Sequence, residues 1–539
     1  MLNRRAFVGL AAGTLAVAQK QSPSAPALLP RDQFRHHIES FNRTFKEEVV
    51  NYIPDAGAWE WLSANIPFFS CPDAAIEELY YYRWWTYRKN IRQTPAGFLV
   101  TEFLKPVKHA SEYNALSCAL GHHIAEGRWL HDPRFLDGDV HFWLRTGEGG
   151  GMRKNLHQFS GWVASSLYDR FLADGRRDAM LPYLDALLAD YAAWEQERLT
   201  ASGLFWQRDV SDGMESSLSG GRKVKNLRPS INSYMFGNAR AIAAIAAMAG
   251  KPALASEYQA KAARLKDLTQ RQLWSTDAAF FETRLENGEF APVRENIGYT
   301  PWYFDLPDDR GGNDRGGNDS ASYEVAWKQL MDPQGFYAPF GPTTAERRDP
   351  KFLADDHDDC QWNGFSWPFA TTITLRALAN LLDHYHQSAI TRADYFETFS
   401  IYTRSQHLKL EDGRVVPFVD EDLNPLTGEW TARAEKLRKK TFYGRGDHYN
   451  HSGYADLVIT GLAGLRPRAD NVVEVNPMLP AGKWEWFCLD RVPYHGRLLT
   501  IVWDQTGARF KAGKGLRLLA DGKEIARSAT LNRLTGTLP

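Results

Sequence analysis

From Asp32 to about Arg466 the chain repeats one texture: amphipathic stretches of helical length, parted by connections rich in Gly, Pro and aromatic residues. The segments DAAIEELYYYRWWTYRKNI, RRDAMLPYLDALLADYAAWEQERL, INSYMFGNARAIAAIAAMAG, ALASEYQAKAARLKDLTQRQLW, WPFATTITLRALANLLDHYH and TRADYFETFSIYTRSQHL read as helices. Leu181, Leu184, Leu187 and Leu188 show the spacing, which gives a helix one apolar face. Such helices bury that face by pairing, and connections that alternate between short and long pair them as hairpins. No fixed period recurs, so a TPR-like array is disfavoured and a mainly α, closed (α/α)6 toroid is predicted. Its long loops open on one end, and loop residues then carry the chemistry.

After Pro467 the texture changes. Short alternating runs in WEWFCLDRVPYHGRLLTIVWDQTGARFKAGKGLRLLADGKEIA are bounded by turn signals at Gln505-Thr506-Gly507 and Asp521-Gly522. Residues 467–539 therefore read as a small β-rich appendage, 26–466 as the helical domain and 1–25 as a leader. The leader pairs Arg4 with Arg5 before an apolar run from Ala6 to Val17, with small residues at Ala16 and Ala18. That is the pattern of a twin-arginine export signal, so a periplasmic or secreted protein is expected. The segment DDRGGNDRGGND, residues 308–319, duplicates RGGND and reads as a surface insertion, with a calcium loop as the rarer alternative.

Lys and Arg number 64 against 65 Asp and Glu, which gives no electrostatic reason to expect a nucleic acid or an anionic membrane as partner. Aromatic residues reach 13%, including 18 Trp; their faces stack on the C–H faces of sugar rings, although large helical cores use them too. Cys71, Cys118, Cys360 and Cys488 show no metal-ligand spacing, and three pairings are open to them.

Two acidic loops stand out. GLFWQRDVSDGMESS, residues 203–217, holds Trp206, Asp209, Asp212 and Glu215 ahead of a helix beginning near Pro229. Clustered acids beside an apolar wall raise one another's pKa, which keeps a carboxyl protonated near neutral pH; Asp212-Gly213 equally reads as a turn with Ser216 or Ser217 as a cap. VVPFVDEDLNPLTGEW, residues 415–430, sets Asp420, Glu421 and Asp422 before the turn signals Asn424-Pro425 and Thr427-Gly428. Stiff backbone there would fix a carboxylate, and an ordinary acidic hairpin would look the same. Between them CQWNGFSWPFATT, residues 360–372, flanks Asn363 and Gly364 with Trp362 and Trp367, either a sugar platform or a hydrophobic cluster at a helix start marked by Pro368.

In this order the three blocks resemble the active-site blocks of the (α/α)6 glycosidases related to glycoside hydrolase family 63 and mannosylglycerate hydrolase. Ser211-Asp212-Gly213-Met214-Glu215-Ser216-Ser217 falls on a family block that reads approximately E-S-G-M-D-N-S, so the resemblance makes Glu215 the general acid, an Asp-to-Glu change that leaves room for Asp212 or Asp209 to assist. Glu421 through Gly428 matches E-x-x-N-P-L-T-G, which makes Glu421 the general base. The middle block resembles W-R-G-P-x-W but lacks the Arg and Pro, so substrate identity does not carry over. The motifs span roughly residues 200–480. What the resemblance implies is an exo-acting, inverting hydrolase of a glycan fragment, with carboxyls about 6.5 to 9.5 Å apart and no cofactor.

In the N-terminal third, Arg83, Trp84, Trp85, Glu102, His122 and His123 fall at expected hairpin ends, where they would line a sugar subsite; His448 and His451, three apart near the base loop, are placed to meet sugar hydroxyls or to serve the fold. Adjacent histidines on a helix point about 100° apart and do not readily share a metal, so none is expected. Two rival readings remain. One is a polysaccharide lyase using Tyr449, His448 and Arg445; the other is a glycan-binding protein that would keep Trp362 and Trp367 and ignore the acids.

Overall fold

The computed structural model describes residues 27–309, 323–354, 360–440 and 444–539. The expected leader and all of the duplicated segment beyond Asp309 lie outside the described residues. Asp308 and Asp309 are bound to Lys266 at 2.8 Å and to His386 at 2.6 Å.

The helical expectations correspond to helices at Ala74–Asn90, Leu184–Arg198, Pro229–Met248, Pro252–Gln272, Pro368–His384 and Arg392–Ser405. One expected helix begins later than its apolar pattern. Arg177–Ala179 and Leu181–Tyr183 form separate 3-10 turns, because Pro182 has no N–H for the ladder, and the α-helix starts only at Leu184.

Packing sorts the helices into two rings. Leu120–Gly127 packs on Val163–Asp174, which packs on Pro229–Met248, then Thr300–Tyr303, Pro368–His384 and Tyr454–Leu457, which returns to Leu120–Gly127. Inner helices are buried nearly all round: Pro229–Met248 buries even Ser230, Asn232, Ser233 and Asn238. Outer ones bury one face, as Pro252–Gln272 does with Ala255, Tyr258, Ala262, Leu265 and Thr269. Ala74–Asn90 packs on both Arg392–Ser405 and Tyr454–Leu457 and so completes the outer ring; unlike the other outer helices it is covered on its far side too, by Arg35–Thr44, Ala58–Asn65 and Phe68–Ser70. The long connections lead into the N-terminal ends of inner helices. Glu215 lies in the loop before Pro229, the Trp362–Trp367 block just before Pro368, and Glu421 at the start of the long connection, containing the helix Thr431–Arg438, that leads to Tyr454.

The C-terminal segment forms an antiparallel meander of strands Trp486–Tyr494, Arg497–Asp504, Gly515–Ala520 and Lys523–Ser528. Asp521 (φ 49°) and Gly522 (φ 77°) are both left-handed, as a two-residue hairpin requires. Its edge is closed by Phe68–Ser70, with Phe69 opposite Leu489. Tyr494 is followed by His495, whose ring bonds the Leu172 carbonyl at 3.0 Å, and Arg491 offers its carbonyl to His131 at 2.8 Å. The sheet is therefore docked on the toroid through residues more than 300 positions away. Cys71, Cys118, Cys360 and Cys488 are all free thiols.

Candidate active site

The acid loop is held on both sides of Glu215. Before it, the fully buried carboxylate of Asp212 meets Arg228 Nε at 2.9 Å and the Ser230 hydroxyl. Arg228 also reaches Ser217 Oγ at 3.3 Å and Met214 Sδ at 3.4 Å, so one guanidinium spans the loop. After it, Ser219 donates its hydroxyl to Glu295 and its main-chain N–H to the same carboxylate at 3.2 Å. Gly213 (φ 72°) permits the turn, and a Cβ there would stand 2.7 Å from Cys118 Sγ. Ser216 is left-handed at φ 61°, a conformation that costs a non-glycine residue about 1 kcal/mol or more and points to a constrained loop. Asp209 caps the 3-10 turn by accepting from Val210 N at 2.6 Å, and burial, opposed by Arg228 and Arg222, raises its pKa. Asp209 and Asp212 thus build the loop, and Glu215 is the half-buried acid of the three.

Glu421 is 1% exposed. The NPLTG sequence that follows it is a turn: Asn424 Oδ1 accepts from Leu426 N at 2.9 Å, Gly428 N donates to Asn424 O at 2.8 Å, and Leu423 pairs with Trp430. Gly428 (φ 76°) closes it against Phe340. Arg445 grips Glu421 Oε1 with Nε at 2.7 Å and with Nη2, and Lys436 Nζ stands 3.8 Å from the same oxygen. The Cys360 thiol donates to Oε2 at 3.2 Å. His451 Nε2 lies 3.2 Å from the Glu421 carbonyl, which can only accept, so that nitrogen carries the proton. Burial, then Arg83, lowers the His451 pKa to about 3, and the ring is neutral.

The tryptophan block ties the two loops together. Trp362 N donates to Glu215 O at 3.0 Å, and Ser366 exchanges hydrogen bonds of 2.9 and 3.0 Å with Leu423. Trp362 and Trp367 stack on each other at 4.8 Å, and Trp367 meets His451 edge-on at 6.0 Å. Gly364 (φ 125°) is needed because a Cβ would fall 2.4 Å from the Phe352 ring, and Asn363 Nδ2 holds the Ala354 carbonyl at 2.6 Å. Burial first, then Glu421 and then Glu215, push the Cys360 thiol well above its usual pKa. One thiol therefore senses both acids.

Glu102 joins this group. It accepts from Tyr449 Oη at 3.0 Å and Ala119 N at 2.8 Å, and burial pushes its carboxyl up to about 7. Tyr449 in turn stacks on His451 at 3.9 Å and on Phe103 at 4.3 Å. The lyase arrangement is not formed: Tyr449 is bonded to Glu102, Arg445 to Glu421, and His448 Nδ1 to Tyr82 Oη at 2.7 Å.

Other expected sugar-facing residues lie elsewhere. Trp84 and Trp85 are fully buried on Ala74–Asn90, Trp84 between Tyr80 and Tyr87, Trp85 among Phe41, Tyr82 and the Lys89 ammonium, so neither offers a free face. His448 is enclosed by Phe45, Trp85 and Phe418. Trp206 is ringed by Arg198, Lys225 and Arg208 at the short strand Trp206–Gln207. Arg83 binds Gln406 and Ser452, His123 binds the Asn450 carbonyl at 2.7 Å, and His122 is packed between Trp162 and Phe369. Sequence reasoning missed Cys360 and Lys436 as partners of Glu421, and gave Arg445 a different role. Among the described residues, no three His, Cys, Asp or Glu side chains are grouped to hold a metal ion.

Residues 112–452 match the mannosylglycerate hydrolase MGH1-like glycoside hydrolase domain, and residues 465–527 match the C-terminal domain of glycosyl hydrolase family 65. A solved structure titled sialidase is 46% identical with a TM-score of 0.88 over 94% of this chain, and the chain spans 45% of that longer one. A family 78 rhamnosidase from a Bacillus species shares the fold at 12% identity and TM-score 0.52, over 84% of this chain and 41% of that one. Family 63 mannosylglycerate hydrolase from Thermus thermophilus, solved with glucose, aligns at 14% identity and TM-score 0.49 over 71% of this chain and 99% of that one. Two acid loops converge at the N-terminal ends of the inner helices of a toroid whose chain matches that domain over most of its length, and the protein thus belongs to the MGH1-like glycoside hydrolases.

Proposed function

We propose that the protein is an exported, exo-acting glycoside hydrolase in which Glu215 protonates the leaving oxygen and Glu421 activates water from the opposite face, with inversion. The observation that supports this reading is the convergence of both loops on one block: Trp362 bonds the Glu215 main chain while Cys360 bonds the Glu421 carboxylate.

The two acids have the different surroundings their roles need. Glu421 is held by Arg445 at 2.7 Å with Lys436 at 3.8 Å, which fixes the orientation of its carboxylate. Its Oε1 is occupied by Arg445, which leaves Oε2, turned toward Cys360, to accept the proton of water. Glu215 is the less enclosed acid of the two, as a proton donor to a departing group needs to be. The depth of Glu421 suits a chain end better than the middle of a polymer, which supports exo action. Buried Trp362 and Trp367, stacked on each other, with His451 and Tyr449, form the aromatic layer that holds the Glu421 loop in place. Export rests on the twin-arginine pattern at Arg4 and Arg5.

Proton NMR of the first-formed anomer tests the mechanism, using a panel of aryl glycosides and plant cell-wall oligosaccharides to find the substrate. Inversion yields the opposite anomer before mutarotation; retention would make one carboxylate a nucleophile and overturn the base assignment.

A further inference from the structure

The two acid loops meet a second time at Glu102, which comes from the N-terminal third of the chain and is 1% exposed. Its Oε1 accepts from Ala119 N at 2.8 Å, at the start of the inner helix Leu120–Gly127. A carboxylate there satisfies a helix N-terminus whose own cap position, Ala119, has no polar side chain. Cys118, one residue earlier, lies against the acid loop: its Sγ would stand 2.7 Å from a Cβ on Gly213, two positions before Glu215.

Capping accounts for one oxygen only. Oε2 accepts from Tyr449 Oη at 3.0 Å, and the Glu102 carbonyl accepts from Asn450 N at 2.9 Å, so side chain and main chain both fasten residues 449–450 to Glu102. The Tyr449 ring is stacked 3.9 Å from that of His451, whose Nε2–H donates to the Glu421 carbonyl at 3.2 Å. Phe103, next in the chain, stacks on Tyr449 at 4.3 Å and stands 5.9 Å from the Arg445 guanidinium that grips the Glu421 carboxylate. Two short routes thus run from this segment to Glu421, one to its main chain through Tyr449 and His451, the other to its carboxylate through Phe103 and Arg445. Both oxygens of Glu102 are needed for this. A carboxamide has one acceptor oxygen, so with Ala119 N still satisfied its NH2 would face the Tyr449 hydroxyl and turn that hydroxyl's proton elsewhere.

We infer that Glu102 is a positioning residue for the hydrolysis, which fixes the Glu421 loop relative to the acid loop through its hydrogen bond to Tyr449. This role rests on Glu215 and Glu421 being the acid and the base. Misplacing a catalytic group by about 1 Å can cost a factor on the order of 10² in rate, and such a loss is read in kcat rather than in KM.

Tyr449→Phe removes the hydroxyl and keeps the stacked ring, so it breaks the bond without emptying the core; Glu102→Gln breaks it from the other end. Both are compared with the wild type and with Glu421→Gln for kcat and KM on one aryl glycoside, with kcat counted per folded molecule from near-ultraviolet circular dichroism. The expected result in each single variant is a fall in kcat of about tenfold, the scale of one lost hydrogen bond, with KM close to that of the wild type. The double variant Glu102→Gln/Tyr449→Phe should be no worse than either single one, because both break the same bond. A structural role alone would lower the melting temperature and leave kcat per folded molecule at the wild-type value, which would overturn the proposal. Losses that multiply in the double variant, or a raised KM with unchanged kcat, would overturn it too. Wild-type turnover by Glu421→Gln would overturn the acid and base reading, and this proposal with it; an impaired Glu421→Gln beside a wild-type Tyr449→Phe overturns the proposal alone.

Discussion

Arg445 holds Glu421 through two nitrogens on one carboxylate oxygen, Nε at 2.7 Å, inside a pocket where Glu421 is 1% exposed. A base in that position has to present one fixed oxygen to water, and the guanidinium holds the other. Arg445→Met should therefore free the carboxylate from its orientation and lower kcat/KM by a factor on the order of 10² or more, as loss of general base catalysis does. Arg445→Lys should restore part of it. A kcat/KM of Arg445→Met equal to that of the wild type would show that the pair is structural only.

Asp212 and Arg228 form a second buried pair, 2.9 Å apart with both side chains fully enclosed, and here the predicted effect is on folding. Breaking one partner of such a pair leaves an uncompensated charge and costs about 3–5 kcal/mol. Asp212→Ala should lose stability on that scale in urea denaturation. A loss of activity with unchanged stability would instead return Asp212 to the chemistry.

The pattern of what the sequence disclosed follows from the range of the interactions. Helices such as Pro229–Met248 and Pro252–Gln272 are local, and their periodicity showed them within a few residues of their ends. The NPLTG turn is local as well, and it pointed to Glu421. Periodicity could not show which aromatic residues face the pocket, because Ala74–Asn90 is covered on every side; Trp84 and Trp85, expected to line a sugar subsite, are core. Nor could it show partners brought by closure of the ring. Cys360 reaches Glu421 across 61 positions and Tyr449 reaches Glu102 across 347, distances at which no local pattern survives. Phe68–Ser70 was unreadable as a strand for the same reason, since its partner is the C-terminal sheet.

Several carboxyls are buried away from the acids, and they set a pH dependence of stability. Asp139 is fully enclosed; it accepts from Val100 N at 3.1 Å, and burial pushes its pKa up to about 7. An unfolded Asp titrates near 3.9, so between about pH 4 and 7 the folded state keeps a proton that the unfolded state has released. The stability tied to that proton is present below the unfolded value and is lost as pH rises toward 7. Glu126, also raised by burial to about 7, acts in the same direction. Asp139→Asn should show a smaller fall in unfolding free energy between pH 5 and 8 than the wild type. An equal fall would mean that Asp139 is ionised throughout in the folded protein.

The division of labour between Glu215 and Glu421 is tested most directly by the dependence of kcat/KM on the leaving group. An acid is needed only when the departing oxygen is basic, whereas the base is needed for every substrate. Glu215→Gln should lose a factor on the order of 10² to 10⁴ on an unactivated glycoside and stay near wild type on a dinitrophenyl one, while Glu421→Gln should be impaired on both. Equal impairment of Glu215→Gln on both substrates, or wild-type turnover by Glu421→Gln, would contradict the assignment.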